Sequence, residues 1–289
     1  MSLPVLWGQL LVGLINGCFY AILSLGLSII FGLLGIVNLT QGAFYMVGAF
    51  FAWMLLYMLG IGYWGALILA PLGVAVIGMI LEFLLIRRIY QLDHSYGLLL
   101  TFGLLLIIQG SFVYVFGTAG QPYPIPEELR GGYNLGFMFL PKYRVWVVLA
   151  ALVLCFATWF AIERTPLGRT LRAATENPAL TRAFGINVPR LVTIGFGVGV
   201  GLSGLAGVLA APIYVVSPLM GADIIIVVFA VVVIGGMGSI LGSITTGVSL
   251  GLLEGLTKAY YPQASGTVIF VMMILVLLVR PAGLFGWQK

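Results

Sequence analysis

The chain has 289 residues, of which 62% are hydrophobic and only 7% are charged. Because an average soluble domain carries roughly 25% charged residues, this composition excludes a water-soluble fold, which could not cover its surface with polar groups. It predicts an integral membrane protein whose few charges mark the segments outside the bilayer.

Uncharged stretches give the predicted membrane helices in chain order. Residues 1–81 contain no charge, and since a helix needs about 20 apolar residues to cross a bilayer, this stretch has room for three spans. We predict an all-α polytopic membrane protein with eight or nine transmembrane helices, some of them broken, in a single domain over residues 1–289. Residues 224–258 are either one broken helix or two spans. The predicted helix centres are Ala21, Phe50, Val76, Leu106, Val153, Leu202, Val231, Val248 and Ile269.

Two apolar stretches are interrupted by small and polar residues: FGLLGIVNLTQGAFYMVG at 31–48 and IGGMGSILGSITTG at 234–247. They can be aligned with each other at low similarity, as an internal duplication would give. Backbone groups freed by a helix break inside a membrane must face water or protein, so paired breaks indicate a translocation pathway. Close glycine packing is the alternative interpretation. The polar residues predicted to face a central cavity are Asn38, Thr40, Gln41, Ser239 and Ser243.

Charge placement predicts which loops are cytosolic. If Arg87, Arg88, residues 164–190 and the C-terminal tail lie in the cytosol, that side holds nine basic residues and the other side four, in agreement with the positive-inside rule. The loop at 117–143 then faces outward, and its prolines and glycines argue against a span. Its mixed charges predict transient contact with a soluble protein.

Small residues recur at a spacing of four in the run 191–222. Gly195, Gly199 and Ser203 form one row, and Gly197 and Gly201 form a second. Such rows let membrane helices approach backbone to backbone. Gly199, Gly201 and Gly204 match a GxGxxG pattern, but that dinucleotide fingerprint requires a soluble βαβ unit, so we interpret these glycines as packing residues.

The segment 164–190 holds five of the thirteen basic residues between two apolar runs. Thr165 before Pro166 and Asn177 before Pro178 are typical helix starts, and a helix over 178–184 would end at Gly185. So short a helix is marginal in water by itself. We predict a short cytosolic helix that docks into a partner's groove; an ordinary surface loop is the alternative.

Few residues are suited to catalysis or to metal binding. The single histidine, His94, lies in a short loop, and the cysteines Cys18 and Cys155 fall inside apolar runs, where small buried side chains are expected. No base stands beside a nucleophile, no metal-ligand cluster is formed, and no Gly-Lys dipeptide marks a P-loop. We therefore expect no enzyme activity, no metal and no cofactor.

Ionisable residues in predicted spans are candidates for ion coupling. Glu82 lies about one turn from Arg87 and Arg88, which predicts pairing with arginine. Glu254 precedes Lys258 by four residues, the spacing of a helical ion pair. Neither position predicts the carboxylate near the bilayer centre that an ion-coupled carrier uses.

Five motifs, in order along nearly the whole chain, carry a family resemblance. They are LGLSIIFGLLGIVNLTQGAFYMVGAF, RTPLGRTLRAATENPALTRAFGI, LAGVLAAPIYVVSPLMGAD, FAVVVIGGMGSILGS and RPAGLFG. Together they closely resemble the LivH-type permeases of bacterial branched-chain amino acid ABC importers. The resemblance implies a multi-pass permease of the cytoplasmic (inner) membrane that translocates amino acids delivered by another protein.

The resemblance also implies partners. These are the lipid bilayer, a homologous permease of the LivM type, two cytosolic ATPase subunits and an extracytoplasmic substrate-binding protein, with no nucleic acid. Urea, short amides or other amino acids are alternative substrates, and an ion-coupled secondary carrier or a channel is the alternative class. The charged segment resembles the loop that couples to an ATPase, although it keeps only an alanine-rich start and the glycine of the EAA consensus. The residues assigned to this contact are Glu176, Asn177, Pro178, Leu180, Arg182, Phe184 and Gly185.

Overall fold

The computed structural model of the protein describes residues 3–90, 92–134, 136 and 139–286. Within these residues the chain forms eleven α-helices, three short 3-10 turns and one hairpin of two strands. The helices are α1 (Leu3–Leu34), α2 (Thr40–Leu59), α3 (Tyr63–Leu84), α4 (His94–Phe116), α5 (Lys142–Glu163), α6 (Pro166–Glu176), α7 (Pro178–Ala183), α8 (Val188–Ala210), α9 (Met220–Gly235), α10 (Ile240–Tyr260) and α11 (Val268–Val279).

Seven helices in the described part of the chain are long and apolar enough to cross a membrane: α1 to α5, α8 and α10. Two further apolar helices, α9 and α11, are shorter, with 16 and 12 residues. All nine predicted centres lie inside these helices, so the all-α polytopic prediction is confirmed. The count of nine includes two helices shorter than the roughly 20 residues that a perpendicular span needs. Residues 224–258 belong to two helices, α9 and α10.

The described residues of the loop between α4 and α5 form no helical span, as the prolines and glycines of this loop predict. It carries the hairpin, in which β1 (Gly132–Asn134) pairs antiparallel with β2 (Phe139–Pro141). Tyr133 lies opposite Leu140 in the register. The hairpin is a small departure from the all-helical prediction, and the period of a three-residue strand is too short to read from sequence.

The described residues group into two compact units. The first contains those of Met1–Ser24, Pro124–Phe156 and Ile226–Lys289, and the second contains those of Leu25–Tyr123 and Ala157–Ile225. Each unit has its own helix packing. The single domain over residues 1–289 stays a prediction.

In the first unit, small residues bring the start of α1 against α10. A Cβ atom placed on Gly247 would lie 2.7 Å from the backbone nitrogen of Ala21, and one on Gly251 would overlap Gly17. These residues recur at a spacing of four on both helices, which is the pattern that permits close approach. The sequence alone does not distinguish this pair of rows, because each occurs in a run where glycines and alanines are frequent.

In the second unit, the glycine rows of α8 face two different neighbours. A Cβ on Gly199 would lie 2.8 Å from the carbonyl oxygen of Gly26 on α1, whereas one on Gly197 would lie 2.7 Å from Cγ of Met79 on α3. Ser203, in the row of Gly199, is fully buried. The predicted packing role of these rows is confirmed, since side chains larger than glycine would separate the helices.

Candidate functional site

The helices α6 and α7 form the predicted coupling segment. Pro166 and Pro178 occupy first-turn positions, and the Asn177 side chain accepts a hydrogen bond of 3.0 Å from the backbone N–H of Leu180. Gly185 has a φ of 80°, a conformation that glycine adopts without the strain of a Cβ atom. The predicted helix starts and the predicted end are confirmed, although α7 ends at Ala183, one residue before the predicted limit.

The predicted helix start at Thr165 is confirmed, but the Thr165 side chain bonds to the preceding helix. Thr165 stands at the N-cap position of α6, but its hydroxyl makes no capping hydrogen bond. It donates instead to the carbonyl oxygen of Ala161 in the last turn of α5. Carbonyl groups at a helix C-terminus lack partners within the helix, and they are within reach of this hydroxyl because α6 follows α5 directly.

The short helix α7 is anchored on one side and exposed on the other. Thr181 is buried, and its hydroxyl donates to the carbonyl oxygens of Ala173 and Asn177, both at 2.9 Å. Leu180 and Phe184 are 55% and 78% exposed. The segment therefore exposes two large apolar side chains, Leu180 on α7 and Phe184 directly after it, while Thr181 anchors the helix. All seven residues predicted to contact an ATPase are exposed: Glu176, Asn177, Pro178, Leu180, Arg182, Phe184 and Gly185.

An apolar cluster joins the coupling segment to neighbouring helices of the second unit. Ala174 of α6 packs with Val188 and Val192 of α8. Leu34, the last residue of α1, and Tyr90 also pack against this cluster. The coupling segment is thus in contact with the beginning of α8 and the end of α1.

Beside this cluster lies a carboxylate with no exposed surface. Glu82, near the end of α3, pairs with Arg87, both nitrogen–oxygen distances being 3.2 Å. Its oxygens also accept hydrogen bonds of 2.5 Å from the Tyr90 hydroxyl and 2.7 Å from the Thr193 hydroxyl. Pairing with arginine was predicted. The two hydroxyl donors were not, because Thr193 is more than a hundred positions away.

Tyr90 follows the 3-10 turn at Ile86–Ile89 and lies outside the membrane helices. Burial raises the pKa of Tyr90, and its hydrogen bond to the Glu82 carboxylate raises the pKa further. The phenol therefore stays protonated at physiological pH. It acts as a permanent hydrogen-bond donor to Glu82.

In the first unit, Glu254 forms a second buried cluster. The carboxylate is only 7% exposed and contacts the Lys258 ammonium at 2.5 Å, so the predicted ion pair is present. Tyr20 of α1 donates a hydrogen bond of 2.7 Å to the same carboxylate, and Asn16 donates one of 3.4 Å. Glu254 therefore does more than pair with Lys258, since its hydrogen bonds also connect α10 to α1.

The predicted pathway residues of the second unit surround the break between α1 and α2. The side-chain Oδ1 of Asn38 accepts a hydrogen bond of 3.1 Å from the backbone N–H of Thr40. The Thr40 hydroxyl donates to Thr101 O, and the Gln41 amide donates to Gly199 O, both at 2.9 Å. All three predicted residues are buried. Among the residues that the structure describes, neither Nδ2 of Asn38 nor Oε1 of Gln41 has a hydrogen-bond partner.

The other two pathway residues lie in the first unit, at the break between α9 and α10. Ser239 caps α10 by accepting a hydrogen bond of 3.1 Å from Gly242 N. Ser243 is fully buried, and its hydroxyl donates to Ser239 O at 3.0 Å. The structure thus places Ser239 and Ser243 together, in a different unit from Asn38, Thr40 and Gln41. That these five residues line a pathway stays a prediction.

The C-terminal motif RPAGLFG packs on this second break. Leu284 N donates to Ile234 O at 2.8 Å, and Phe285 N donates to Gly235 O at 3.1 Å. These bonds satisfy carbonyl groups at the end of α9 that no further helical turn can reach. Gly236, with a φ of 98°, turns the chain there. The sequence signal that could have indicated this contact is the presence of glycines in both segments, GGMG at 235–238 and RPAGLFG at 280–286.

Cys18 and Cys155 are buried free thiols, as expected from their positions in apolar runs. In the part of the chain that the structure describes, no group of three or more His, Cys, Asp and Glu side chains could hold a metal ion.

Comparison with known proteins gives relatives over almost the full length. The high-affinity branched-chain amino acid transport system permease protein LivH of Escherichia coli (strain K12) is 28% identical, with 96% of this chain and 94% of LivH covered. LivM of Salmonella typhimurium, a permease protein of the same kind of system, is 31% identical, with 93% and 68% covered. Among solved structures, PsaBC from Streptococcus pneumoniae in complex with Fab is similar at 17% identity, with a TM-score of 0.46 and coverage of 93% and 89%.

Residues 9–277 match the protein family described as branched-chain amino acid transport system / permease component. That match covers far more than half of the 289 residues. The seven long apolar helices also make the chain a multi-pass membrane protein. This chain belongs to the family of permease components of branched-chain amino acid transport systems.

Proposed function

We propose that the chain is the membrane-spanning subunit of an ATP-driven importer of the inner membrane that translocates branched-chain amino acids. The family match and the names of the relatives LivH and LivM support this substrate class. The chain provides the route for the substrate, whereas ATP hydrolysis is carried out by other subunits. Urea, short amides and other amino acids are alternative substrates.

One observation carries the ATP-driven part of the proposal, namely the exposed apolar surface of α7 and its C-cap residue. Leu180 and Phe184 are exposed although α7 is capped by Asn177 and anchored by Thr181. Burying a leucine or phenylalanine side chain contributes about 1.5–3 kcal/mol, so this pair of exposed side chains favours docking of a partner. A cytosolic ATPase subunit is the partner that an importer requires at this surface.

The remaining partners are proposed on separate grounds. LivH and LivM of Escherichia coli are both permease proteins of the high-affinity branched-chain amino acid transport system, and the chain is similar to both. This supports pairing with a homologous permease. We propose that two ATPase subunits bind on the cytosolic side, at the surface that exposes Leu180 and Phe184. The loop at 117–143, which exposes Glu127 and Glu128, is proposed to receive the substrate-binding protein.

The function is tested by purification and vesicle transport. We expect the tagged chain, extracted in mild detergent, to copurify with subunits that hydrolyse ATP. Leucine uptake into vesicles should require ATP on the cytosolic side and should be insensitive to ionophores that collapse ion gradients. Uptake without ATP that ionophores abolish would instead establish an ion-coupled carrier.

We further propose that the substrate passes the two helix breaks. A buried polar atom without a partner costs about 1–3 kcal/mol, and Asn38 Nδ2 and Gln41 Oε1 are two such atoms at one break. Opening of this region during transport would give both atoms water or substrate as partners. Their retention in an otherwise apolar chain therefore supports a role in the pathway.

Cysteine labelling tests the pathway. In a background with Cys18→Ala and Cys155→Ala, single cysteines at Asn38, Thr40, Gln41, Ser239 and Ser243 are expected to react with a charged, water-soluble thiol reagent in at least one nucleotide state of the complex. The control is Leu99→Cys, because Leu99 is exposed on α4 and should react with lipid-soluble reagents alone. The pathway assignment fails if the five positions follow the control in every nucleotide state.

A further inference from the structure

We propose that Glu82, Arg87, Tyr90 and Thr193, named here the Glu82 cluster, transmit movement of the coupling segment to α3 and to the break between α1 and α2. The inference rests on the proposed function, because an ATPase must supply the movement. It assigns positioning roles to residues that neither touch the ATPase nor line the pathway. The contacts that support it all lie within the second unit.

The first step of the transmission is the attachment of α3 to α8. Arg87, beyond the end of α3, donates through Nη2 to Pro189 O at 3.3 Å and to the Thr193 hydroxyl at 2.5 Å. Thr193 in turn donates to Glu82 at 2.7 Å. Because Pro189 and Thr193 occupy the first two turns of α8, the end of α3 is fixed to the part of α8 that directly follows α7.

The second step joins the cluster to α6. Tyr90 donates its hydroxyl to Glu82 at 2.5 Å while it packs on the apolar cluster of Ala174, Val188 and Val192. Ala174 belongs to α6. A displacement of the coupling segment therefore acts on the position of Tyr90 through packing, and Tyr90 is tied to Glu82 by a hydrogen bond.

The third step reaches the helix break. Leu34, which ends α1, packs on the same apolar cluster, and Asn38 follows four residues later. On α8, the carbonyl oxygen of Gly199 accepts the hydrogen bond from Gln41 at 2.9 Å. Thr193 and Gly199 lie on one continuous helix. A tilt of α8 therefore moves the Thr193 contact with Glu82 and the Gly199 contact with Gln41 together.

The chemistry of the cluster favours transmission over stability. Replacing a buried ion pair by apolar side chains of similar volume is often neutral or stabilising, whereas removing one partner leaves an uncompensated charge and destabilises the fold. A buried pair is therefore weak support for a purely structural role. The directional hydrogen bonds of the Glu82 cluster fix α3, the turn at 86–90 and α8 relative to one another. Transmission of movement between these segments requires such fixed positions.

The experiment separates these roles by removing both charges. We expect the Glu82→Met, Arg87→Met variant to keep wild-type thermal stability and to copurify with the ATPase subunits. Its leucine uptake per ATP hydrolysed should fall roughly fivefold or more, the lower end of typical coupling between sites. The single variant Glu82→Gln should lose both stability and coupling, because the positive charge of Arg87 is left without the carboxylate that pairs with it.

A matched control comes from the buried ion pair of the first unit. The Glu254→Met, Lys258→Met variant removes an equivalent pair on α10 and should leave uptake per ATP hydrolysed unchanged. Thr193→Val and Tyr90→Phe remove one hydroxyl each and should lower the same ratio by similar, non-additive amounts. These two conservative variants test the cluster even if the double methionine variant does not fold.

The outcomes also separate this inference from the proposed function. If the wild-type chain transports without ATPase subunits, the proposed function fails, and the cluster has no movement to transmit. If the ATPase copurifies and is required, but both Thr193→Val and Tyr90→Phe keep the wild-type uptake per ATP hydrolysed, the cluster is a structural contact and the inference is overturned.

Discussion

A chain carrying Leu180→Glu and Phe184→Glu is expected to lose nearly all leucine uptake while it still inserts into the membrane. Both side chains are exposed in the isolated chain, so the substitutions cost little in folding. At an interface, each lost apolar contact is worth about 1.5–3 kcal/mol, and 1.4 kcal/mol changes affinity tenfold. Uptake and substrate-stimulated ATP hydrolysis should therefore fall together to roughly a tenth or less. Both are measured in vesicles at matched expression.

The control for this variant keeps the apolar surface. Leu180→Met with Phe184→Leu retains two large apolar side chains at α7 and its C-cap, and it should preserve uptake and copurification of the ATPase. Wild-type uptake by the double glutamate variant, at wild-type expression, would locate the coupling contact elsewhere on the cytosolic surface.

The second large effect is expected from a single methyl group on α8. A Cβ atom on Gly207 would overlap the carbonyl oxygen of Tyr45 and lie 2.8 Å from the backbone nitrogen of Ala49 on α2. Neither backbone atom can move without separating the helices, so Gly207→Ala should destabilise the chain by about 1–3 kcal/mol or more. The measurement is the thermal unfolding midpoint in detergent, together with the yield of folded protein.

The matched control is the same substitution at Gly110 on α4. A Cβ atom there meets nothing within 4 Å, and alanine has the higher helix propensity by roughly 1 kcal/mol. Gly110→Ala should therefore leave the unfolding midpoint unchanged or raise it. Equal midpoints for Gly207→Ala and Gly110→Ala would show that α2 and α8 are less closely packed than the structure has them.

The sequence determined where the helices lie. All nine predicted centres fall inside α1 to α5 and α8 to α11, because charged and apolar runs separate cleanly in a membrane protein. Local rules also located the short helix α7, since a cap at Asn177, a proline at 178 and the left-handed Gly185 depend on a few neighbouring residues. Thr165 shows the limit of such rules, because its hydroxyl bonds to the preceding helix instead.

The family resemblance could also be stated from sequence, and the match over residues 9–277 confirms it. The predicted pairs of Glu82 with Arg87 and of Glu254 with Lys258 are present, because their partners lie within five positions. The roles assigned to the ATPase contact and to the pathway stay predictions. They concern surfaces that meet other molecules, and a single chain does not determine those.

Tertiary structure alone decided which residues far apart in sequence meet. The Glu82 carboxylate accepts a hydrogen bond from Thr193, 111 positions away, and the Glu254 carboxylate accepts one from Tyr20, 234 positions away. Hydrogen bonds over similarly long separations join the C-terminal loop to the end of α9 and the Gln41 side chain to Gly199 O. A long run of apolar residues identifies a segment as a membrane helix. In helices immersed in lipid, however, apolar residues are distributed nearly evenly around the helix, so they do not mark one face for packing. Which face of a helix meets which neighbour was therefore settled by glycine packing and by the pairing of buried polar groups.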